Sequence, residues 1–269
     1  MSSLLKRSLS TIVLVSFFAL SAVVDWFFGI VVMIFVALGL YEYFTMLENK
    51  KIEIYKYFGI TIGVIIPLSV LSRFELTRNW ELLLFVCSLI CLFMMQFKRR
   101  QNSGATVGIA TTLFGLMYVA WPLSFAIKIR YMENGIGYLA AVLSMTKSAD
   151  IGAYLFGSWF GKTPLIPRIS PNKTVEGTLG GLITSALVGL AFRPLIGLPA
   201  WQMALMGFLI GLVGQLGDLS ESLMKRDCLV KDSSNIIPGI GGVLDLVDSL
   251  LFAIPVFYFI LVAYLHKVL

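Results

Sequence analysis

Two pairs of acidic residues flank a glycine-rich stretch near the end of this 269-residue sequence. Asp218 and Glu221 are three residues apart, so they share one face if their stretch is helical. Asp245 and Asp248 have the same spacing on the other side of the glycines. Four carboxylates gathered by hairpin closure would repel one another without a cation, and oxygen ligands with no Cys or His nearby suit Mg²⁺. We therefore predict a site for one or two Mg²⁺ ions, with helix capping as the alternative for Asp245.

The stretch between the two acidic pairs has the residues of a phosphate site. Lys225, Arg226 and Lys231 supply positive charge. Gly241 and Gly242 leave backbone N–H groups open to close approach by an anion. The alternative is that the glycines only form a tight turn and the basic residues only follow the distribution of charge across a membrane.

A second polar stretch, residues 161–181, has similar chemistry. Its segment SPNKT, residues 170–174, places a lysine and two hydroxyl groups beside a proline turn, which suits contact with a triphosphate. The glycine spacing excludes a Walker A loop. The candidate ligands here are Lys162, Ser170, Lys173, Thr174 and Glu176. Gly177, Gly180 and Gly181 follow near one helical face, which predicts close helix packing and permits a homodimer.

Lys147, Asp150 and Glu42 are charged residues within apolar segments. Lys147 and Asp150 are three residues apart and can pair on one helical face, and we expect them to line an aqueous cavity. A purely structural ion pair is the alternative. Glu42 lies near the end of its segment, and we expect its side chain to extend toward the membrane surface. Because His266 is the only histidine, a catalytic triad and a histidine metal cluster are excluded.

The elements that carry these residues are predicted to be membrane helices. The sequence is 58% hydrophobic and 13% charged, and its apolar runs are long and continuous, which favours spanning helices over barrel strands. We predict an all-α, polytopic integral membrane protein with about nine transmembrane helices, divided into N-terminal membrane helices (1–130) and a C-terminal catalytic region (131–269). The predicted segments are 8–24, 26–46, 57–72, 82–97, 105–127, 135–160, 177–198, 200–216 and 249–265.

The distribution of basic residues predicts how the chain is oriented. Fourteen of the 21 Lys and Arg residues fall on the side of the N-terminus and six fall on the other side. The N-terminus and the loops 161–176 and 217–248 are therefore predicted to face the cytoplasm, from the plasma (inner) membrane. The net charge of +6 then suits anionic lipid headgroups, and it is no sign of nucleic-acid binding.

These polar residues resemble the sequence pattern of the phosphatidate cytidylyltransferases, also called CDP-diacylglycerol synthases. The resemblance covers roughly residues 145–250 in two blocks. The chain departs from the pattern at Ile240, where the family has His, and at Leu246, where it has Arg. The first block is matched by Asp150, Gly157, Lys162, Ser170, Lys173, Thr174 and Glu176, and the second by Ser222, Lys225, Arg226, Lys231, Asp232, Gly241, Gly242, Asp245 and Asp248.

The resemblance implies transfer of a cytidylyl group from CTP to phosphatidic acid, giving CDP-diacylglycerol and pyrophosphate, with Mg²⁺. Other readings remain open: a different acceptor lipid, or a transporter whose ion path runs through Lys147 and Asp150. The residues expected to be catalytic are Asp218, Asp245, Asp248, Lys225 and Arg226, and the metal ligands Asp218, Glu221, Asp245 and Asp248. Those expected to bind substrate are Lys147, Asp150, Lys162, Ser170, Lys173, Thr174, Glu176, Ser222, Lys231, Asp232, Gly241 and Gly242.

Overall fold

The structure is a computed structural model that describes residues 20–21, 23–50, 52–73, 80–99, 103–234, 236 and 241–268. Most of the predicted segment 8–24 and the position of Ile240 lie outside the described residues. Helices make up most of the described chain, as the sequence predicts. The chain divides into a first unit, Met1–Ile127 with Cys228–Leu246, and a second unit, Lys128–Asp227 with Val247–Leu269.

The first unit is built from long apolar helices. Its core is filled by side chains such as Phe28, Leu40 and Phe44, all fully buried. Gly63 lets two helices approach closely, because a methyl group there would collide with the Leu40 side chain. The helices are α1 (Asp25–Glu48), α2 (Lys56–Leu71), α3 (Trp80–Phe97) and α4 (Ala105–Gly115), which continues through a π-helical turn (Leu116–Ala120) into α5 (Trp121–Arg130). The last three residues of α5 belong to the second unit.

The second unit places a small β-hairpin among helices. Helix α6 (Gly135–Phe160) leads into the antiparallel strands β1 (Pro164–Ile166) and β2 (Ser170–Thr174). Because the predicted loop 161–176 forms this hairpin, the fold is not purely helical. The remaining helices are α7 (Val175–Ala191), α8 (Arg193–Ile196), α9 (Ala200–Asp227) and α10 (Val243–Val268), whose first residues belong to the first unit.

The predicted glycine face of α7 packs against α6. A methyl group at Gly177 would lie 2.6 Å from the carbonyl oxygen of Ala153, and one at Gly181 would lie 2.5 Å from that of Ala149. Only glycine permits this separation of the two backbones, so the prediction of close packing is confirmed. The packing occurs within the chain, and these glycines therefore give no support to a homodimer.

The chain is a multi-pass membrane protein. Among the described residues, five helices are long and apolar enough to cross a membrane, so the prediction of nine spans is not confirmed. Helices α2 and α7 have only 16 and 17 residues. Helix α6 is long enough, but polar residues such as Lys147 and Asp150 lower its mean hydropathy. The five are Asp25–Glu48, Trp80–Phe97, Ala105–Arg130, Ala200–Asp227 and Val243–Leu265.

The predicted loop 217–248 is shorter in the structure. Helix α9 ends at Asp227 and α10 begins at Val243, so only residues 228–242 connect them. The apolar run ends near 216, but the helix continues with a polar face on which Lys225 Nζ lies 3.3 Å from Glu221 Oε1, an i,i+4 pair that supports a helix. The end predicted at 216 is wrong because loss of hydrophobicity was taken for the end of the helix.

Candidate active site

A cavity of about 550 Å³ lies in the second unit, between α6, the hairpin, α7 and α9. Its volume is in the range of small-molecule sites, about 300–1,000 Å³. Five of the predicted catalytic, metal-binding or substrate-binding residues line it together: Asp150, Ser170, Lys173, Thr174 and Asp218. They come from three separate stretches of the chain, and folding brings them to one concave surface.

Two ion pairs join the charged groups of the cavity. Lys173 Nζ on β2 lies 2.5 Å from Asp218 Oδ2 on α9. Lys147 Nζ lies 3.3 Å from Asp150 Oδ2 on α6, which confirms the predicted pair on one helical face. Lys147 Nζ also donates a hydrogen bond of 3.1 Å to Ser249 Oγ. Each of the two carboxylates is therefore held by a lysine, and both carboxylates line the cavity.

Asp248 brings a third carboxylate to this cluster. It lies within electrostatic range of Asp218, Lys147 and Asp150, and its Oδ1 accepts a hydrogen bond of 2.5 Å from the Ser249 amide. Gly217 permits this approach, since a methyl group there would lie 2.5 Å from the Asp248 carbonyl oxygen. In their ionised forms, three aspartates and two lysines leave one excess negative charge beside the cavity. An anionic ligand would need a cation there.

The donor chemistry of this cluster fits Mg²⁺. Among the residues that the structure describes, no group of three or more Asp, Glu, His or Cys side chains is arranged to hold a metal ion. Mg²⁺ usually takes one or two carboxylates and completes its shell with water and substrate phosphates. Asp218 and Asp248 match that requirement. The fit depends on two carboxylates, and not on the four that the sequence predicts.

The other two predicted metal ligands have different partners. Glu221 is fully buried and pairs with Lys225. Asp245 Oδ2 accepts hydrogen bonds from the Ser233 amide (3.1 Å), the Ser233 hydroxyl (2.9 Å) and the Gly242 amide (2.8 Å). Because Gly242 precedes the first residue of α10, Asp245 caps this helix from its third position, as in a capping box. The anion that the Gly242 amide contacts is thus the Asp245 carboxylate.

Several predicted substrate ligands of the hairpin have structural contacts. The Glu176 carboxylate accepts hydrogen bonds from the Lys162 amide (3.1 Å) and the Thr163 amide (3.1 Å), which closes the hairpin. Backbone N–H groups, first its own and then those of Lys162 and Thr163, lower the pKa of Glu176 to about 2. Thr174 Oγ1 accepts a hydrogen bond of 3.1 Å from the Gly177 amide and caps α7.

The last turns of α9 carry two more predicted residues. Arg226 Nε donates a hydrogen bond of 3.3 Å to the Ile169 carbonyl oxygen, which ties α9 to the turn of the hairpin. Ser222 Oγ lies 3.5 Å from Asp218 Oδ1, at the limit of a hydrogen bond.

Three further predicted residues lie in the segment that connects α9 to α10, in the first unit. Lys231 and Asp232 are exposed, and Gly241 has φ +122°, a backbone conformation that favours glycine.

The prediction that the Glu42 side chain extends toward the membrane surface is wrong. This side chain is buried, since the residue is only 1% exposed. Its carboxylate accepts hydrogen bonds from Ser234 and two backbone amides of the first unit, with the Ser233 hydroxyl 3.1 Å away. Sequence reasoning missed these partners because they lie about 200 residues away in the chain. It also missed Ser249, for which the only signal was a small polar residue directly after Asp248.

Comparison with known proteins places the whole chain among related sequences. A model described as "Cytidylyltransferase family" matches residues 5–264. The phosphatidate cytidylyltransferase of Synechocystis sp. is 35% identical over 91% of this chain and 92% of its own length. Those of Bacillus subtilis and Chlamydia muridarum are 34% and 33% identical over 84% of this chain, and over 86% and 80% of their own lengths. The similarity therefore extends well beyond residues 145–250.

Proposed function

Because the chain belongs to the cytidylyltransferase family, we propose that it transfers a cytidylyl group from CTP to phosphatidic acid, giving CDP-diacylglycerol and pyrophosphate for phospholipid synthesis. A phosphate oxygen of phosphatidic acid forms the new bond to the α-phosphorus of CTP, and the bond from that phosphorus to pyrophosphate breaks. The attacking oxygen is already anionic at neutral pH, so the reaction needs no general base. A chain with a single histidine, His266, is compatible with this chemistry.

The observation that carries the proposal is the cavity where Asp150, Lys173 and Asp218 meet. Transfer between two anionic phosphates requires neutralisation of charge and alignment of the reacting atoms. Lys173 suits the first task, since an incoming phosphate can replace the carboxylate of Asp218 as the partner of its ammonium group. Lys147 holds Asp150 in place through their ion pair. The basic residues Lys225 and Arg226 on α9 and Lys231 in the connecting segment are further candidates for phosphate binding.

Mg²⁺ belongs to this proposal as the cofactor. When bound, the ion supplies positive charge that offsets the charge of the phosphates. Asp218 and Asp248 would hold it, because their two carboxylates lie within electrostatic range of each other. Asp245 acts on the same helix, where its carboxylate fixes the Gly242 amide and Ser233. We expect EDTA to abolish turnover and added Mg²⁺ to restore it.

We further propose that the protein lies in the plasma (inner) membrane with its active site on the cytoplasmic side. The excess of Lys and Arg on the side of loops 161–176 and 217–248 supports this orientation. CTP does not cross membranes, so only inside-out vesicles should form product from added CTP. Product from sealed right-side-out vesicles would contradict the orientation. A homodimer remains a prediction, to be tested by light scattering on the purified protein.

One assay tests the proposed function. Purified protein is incubated with CTP labelled in the α-phosphate, phosphatidic acid and Mg²⁺, with an EDTA control. We expect the label in CDP-diacylglycerol and release of pyrophosphate. Labelled product with another lipid but none with phosphatidic acid would reject the acceptor. No lipid product, together with solute flux into liposomes in the absence of nucleotide, would favour a transporter.

A further inference from the structure

Glu42 forms the centre of a buried polar cluster in the first unit. Its Oε1 accepts hydrogen bonds from Ser234 Oγ (2.6 Å) and the Val243 amide (2.9 Å). Its Oε2 accepts a hydrogen bond from the Leu244 amide (2.8 Å) and lies 3.1 Å from Ser233 Oγ. The residue is 1% exposed. One side chain on α1 therefore holds both the connecting segment and the beginning of α10.

The chemistry of the four donors explains why a carboxylate is needed here. The amides of Val243 and Leu244 belong to the first turn of α10, where backbone N–H groups have no partner within the helix. A negative group is favoured at that end by the helix dipole. A carboxylate has about four acceptor positions, and four donor groups lie within hydrogen-bond distance of them. No neutral side chain of the same size offers four acceptor positions.

Gly242 and Ser233 connect Glu42 to Asp245. A methyl group at Gly242 would lie 2.5 Å from Glu42 Oε2 and would also collide with Ser233 Oγ, so the cluster requires glycine at this position. Ser233 Oγ lies within hydrogen-bond distance of Glu42 Oε2 and, at 2.9 Å, of Asp245 Oδ2. The two carboxylates thus share a serine, and displacement of one would disturb the other.

The segment next to this cluster depends on it for its position. Lys231 and Asp232 are exposed, directly precede Ser233, and lie in neither a helix nor a strand. Among the described residues, the hydrogen bonds that leave the stretch 231–236 run to Glu42 and Asp245. Among the described residues of this stretch, no backbone-to-backbone hydrogen bond to another segment is present. Its side-chain contacts therefore decide where Lys231 and Asp232 lie.

We propose that Glu42 is a positioning residue for the transfer reaction. It fixes Lys231, Asp232 and Asp245 through Ser233, Ser234 and the first turn of α10, and it does not itself contact a substrate. The assignment rests on the proposed function for the role of Lys231 and Asp232 in substrate binding. The contacts that carry it come from α1, a part of the chain outside residues 145–250 in which the sequence pattern was recognised.

Glu42→Gln tests the proposal, with Glu48→Gln as the matched control. Glutamine keeps the size of the side chain, but its NH₂ group cannot accept hydrogen bonds from backbone amides. Glu48 lies on the same helix and is half exposed, where it pairs with Lys56. Hydrogen exchange in detergent and steady-state kinetics with CTP and phosphatidic acid are measured for both variants.

We expect Glu42→Gln to speed exchange of the Ser233, Val243 and Leu244 amides about tenfold or more, the scale of one lost hydrogen bond to a buried charged group. The KM for CTP should rise by about the same factor. A purely structural defect would instead reduce the fraction of active enzyme, which lowers the apparent kcat and leaves KM unchanged. Glu48→Gln should match the wild type in both measurements.

The proposal would be overturned if the amides of residues 231–246 in Glu42→Gln exchanged at wild-type rates. It would also be overturned if they exchanged faster while the KM for CTP stayed unchanged. If Glu42→Gln does not fold, Ser234→Ala takes its place, because it removes one of the four donors and keeps the carboxylate. It should change exchange and KM in the same direction by a smaller factor, and wild-type values for both would overturn the proposal. A wild-type protein without CDP-diacylglycerol synthesis would reject the proposed function, and the exchange rates would still decide whether Glu42 holds the segment.

Discussion

Asp245 and Asp248 are three residues apart on α10, and the sequence gives them the same role, yet their surroundings differ. Asp245 accepts three hydrogen bonds from Ser233 and Gly242. Asp248 accepts one from its neighbour Ser249 and lies in electrostatic range of Asp218 and other charged groups. The first carboxylate is committed to backbone and serine donors, whereas the second has one backbone donor and lies near other carboxylates. Spacing places residues on one face of a helix, but the donors around each carboxylate decide what it can bind.

The largest effect is expected when the charge of Asp248 or Asp218 is removed. Asp248→Asn and Asp218→Asn should each lower kcat about 10²- to 10³-fold, the scale of losing one electrostatic contact to the reacting groups. The Mg²⁺ concentration at half-maximal rate should also rise. Glu53→Gln, which removes an exposed carboxylate paired with Arg99, serves as the control. If both aspartate variants kept wild-type rates at low Mg²⁺, neither Asp218 nor Asp248 would belong to the metal site.

Hydrogen exchange in Asp245→Asn and Asp248→Asn tests whether the two aspartates have different hydrogen-bond partners. Asp245→Asn should speed exchange of the Ser233 and Gly242 amides about tenfold, because an amide side chain is a weaker acceptor for their N–H groups. Asp248→Asn should leave these amides unchanged. Equal exchange rates in the two variants would mean that the two aspartates do not differ as described.

Lys173→Met tests the positive charge of the cavity. Its ammonium group pairs with Asp218, and an incoming phosphate would take over that contact. We expect the KM for CTP to rise about tenfold, the scale of a lost hydrogen bond between charged groups. Lys173→Arg should retain most of the affinity because it keeps the charge. An unchanged KM for CTP in Lys173→Met would mean that this lysine does not contribute to nucleotide binding.

The smallest effect is expected at Glu176, whose carboxylate closes the hairpin through the Lys162 and Thr163 amides. Its pKa is lowered to about 2 from a usual 4.5, so its carboxylate stabilises the fold above pH 4.5. That stabilisation should be lost as the pH falls from 4.5 toward 2. The difference in melting temperature between the wild type and Glu176→Gln should therefore shrink over this range. A difference that does not change with pH would contradict the role of the charge.

Sequence reasoning succeeded where the relevant physics is local. The bounds predicted for α6, 135–160, agree with the helix, and the spacing of Lys147 and Asp150 predicts their ion pair. It failed where hydrophobicity was the only guide, as at the end of α9, which runs eleven residues beyond the predicted 216 as a helix with a polar face.

Contacts that are distant in the chain could not be predicted. Glu42 meets Ser233 across 191 positions, and no periodicity within α1 indicates that partner. The hairpin was also missed, because its strands of three and five residues are too short to show an alternating pattern. The same holds for the site residues. The sequence shows which side chains can bind phosphate or metal, but the partner of each carboxylate depends on tertiary folding.

Divalent cation binding to the purified protein tests most directly whether Asp218 and Asp248 hold a metal ion, with Mn²⁺ as a spectroscopic substitute for Mg²⁺. Titration followed by electron paramagnetic resonance should show a bound ion in the wild type. Binding should weaken at least about tenfold in Asp218→Asn and Asp248→Asn, since each removes one of two charged ligands. Equal Mn²⁺ affinity in the wild type and both variants would contradict the claim that these two carboxylates hold the metal.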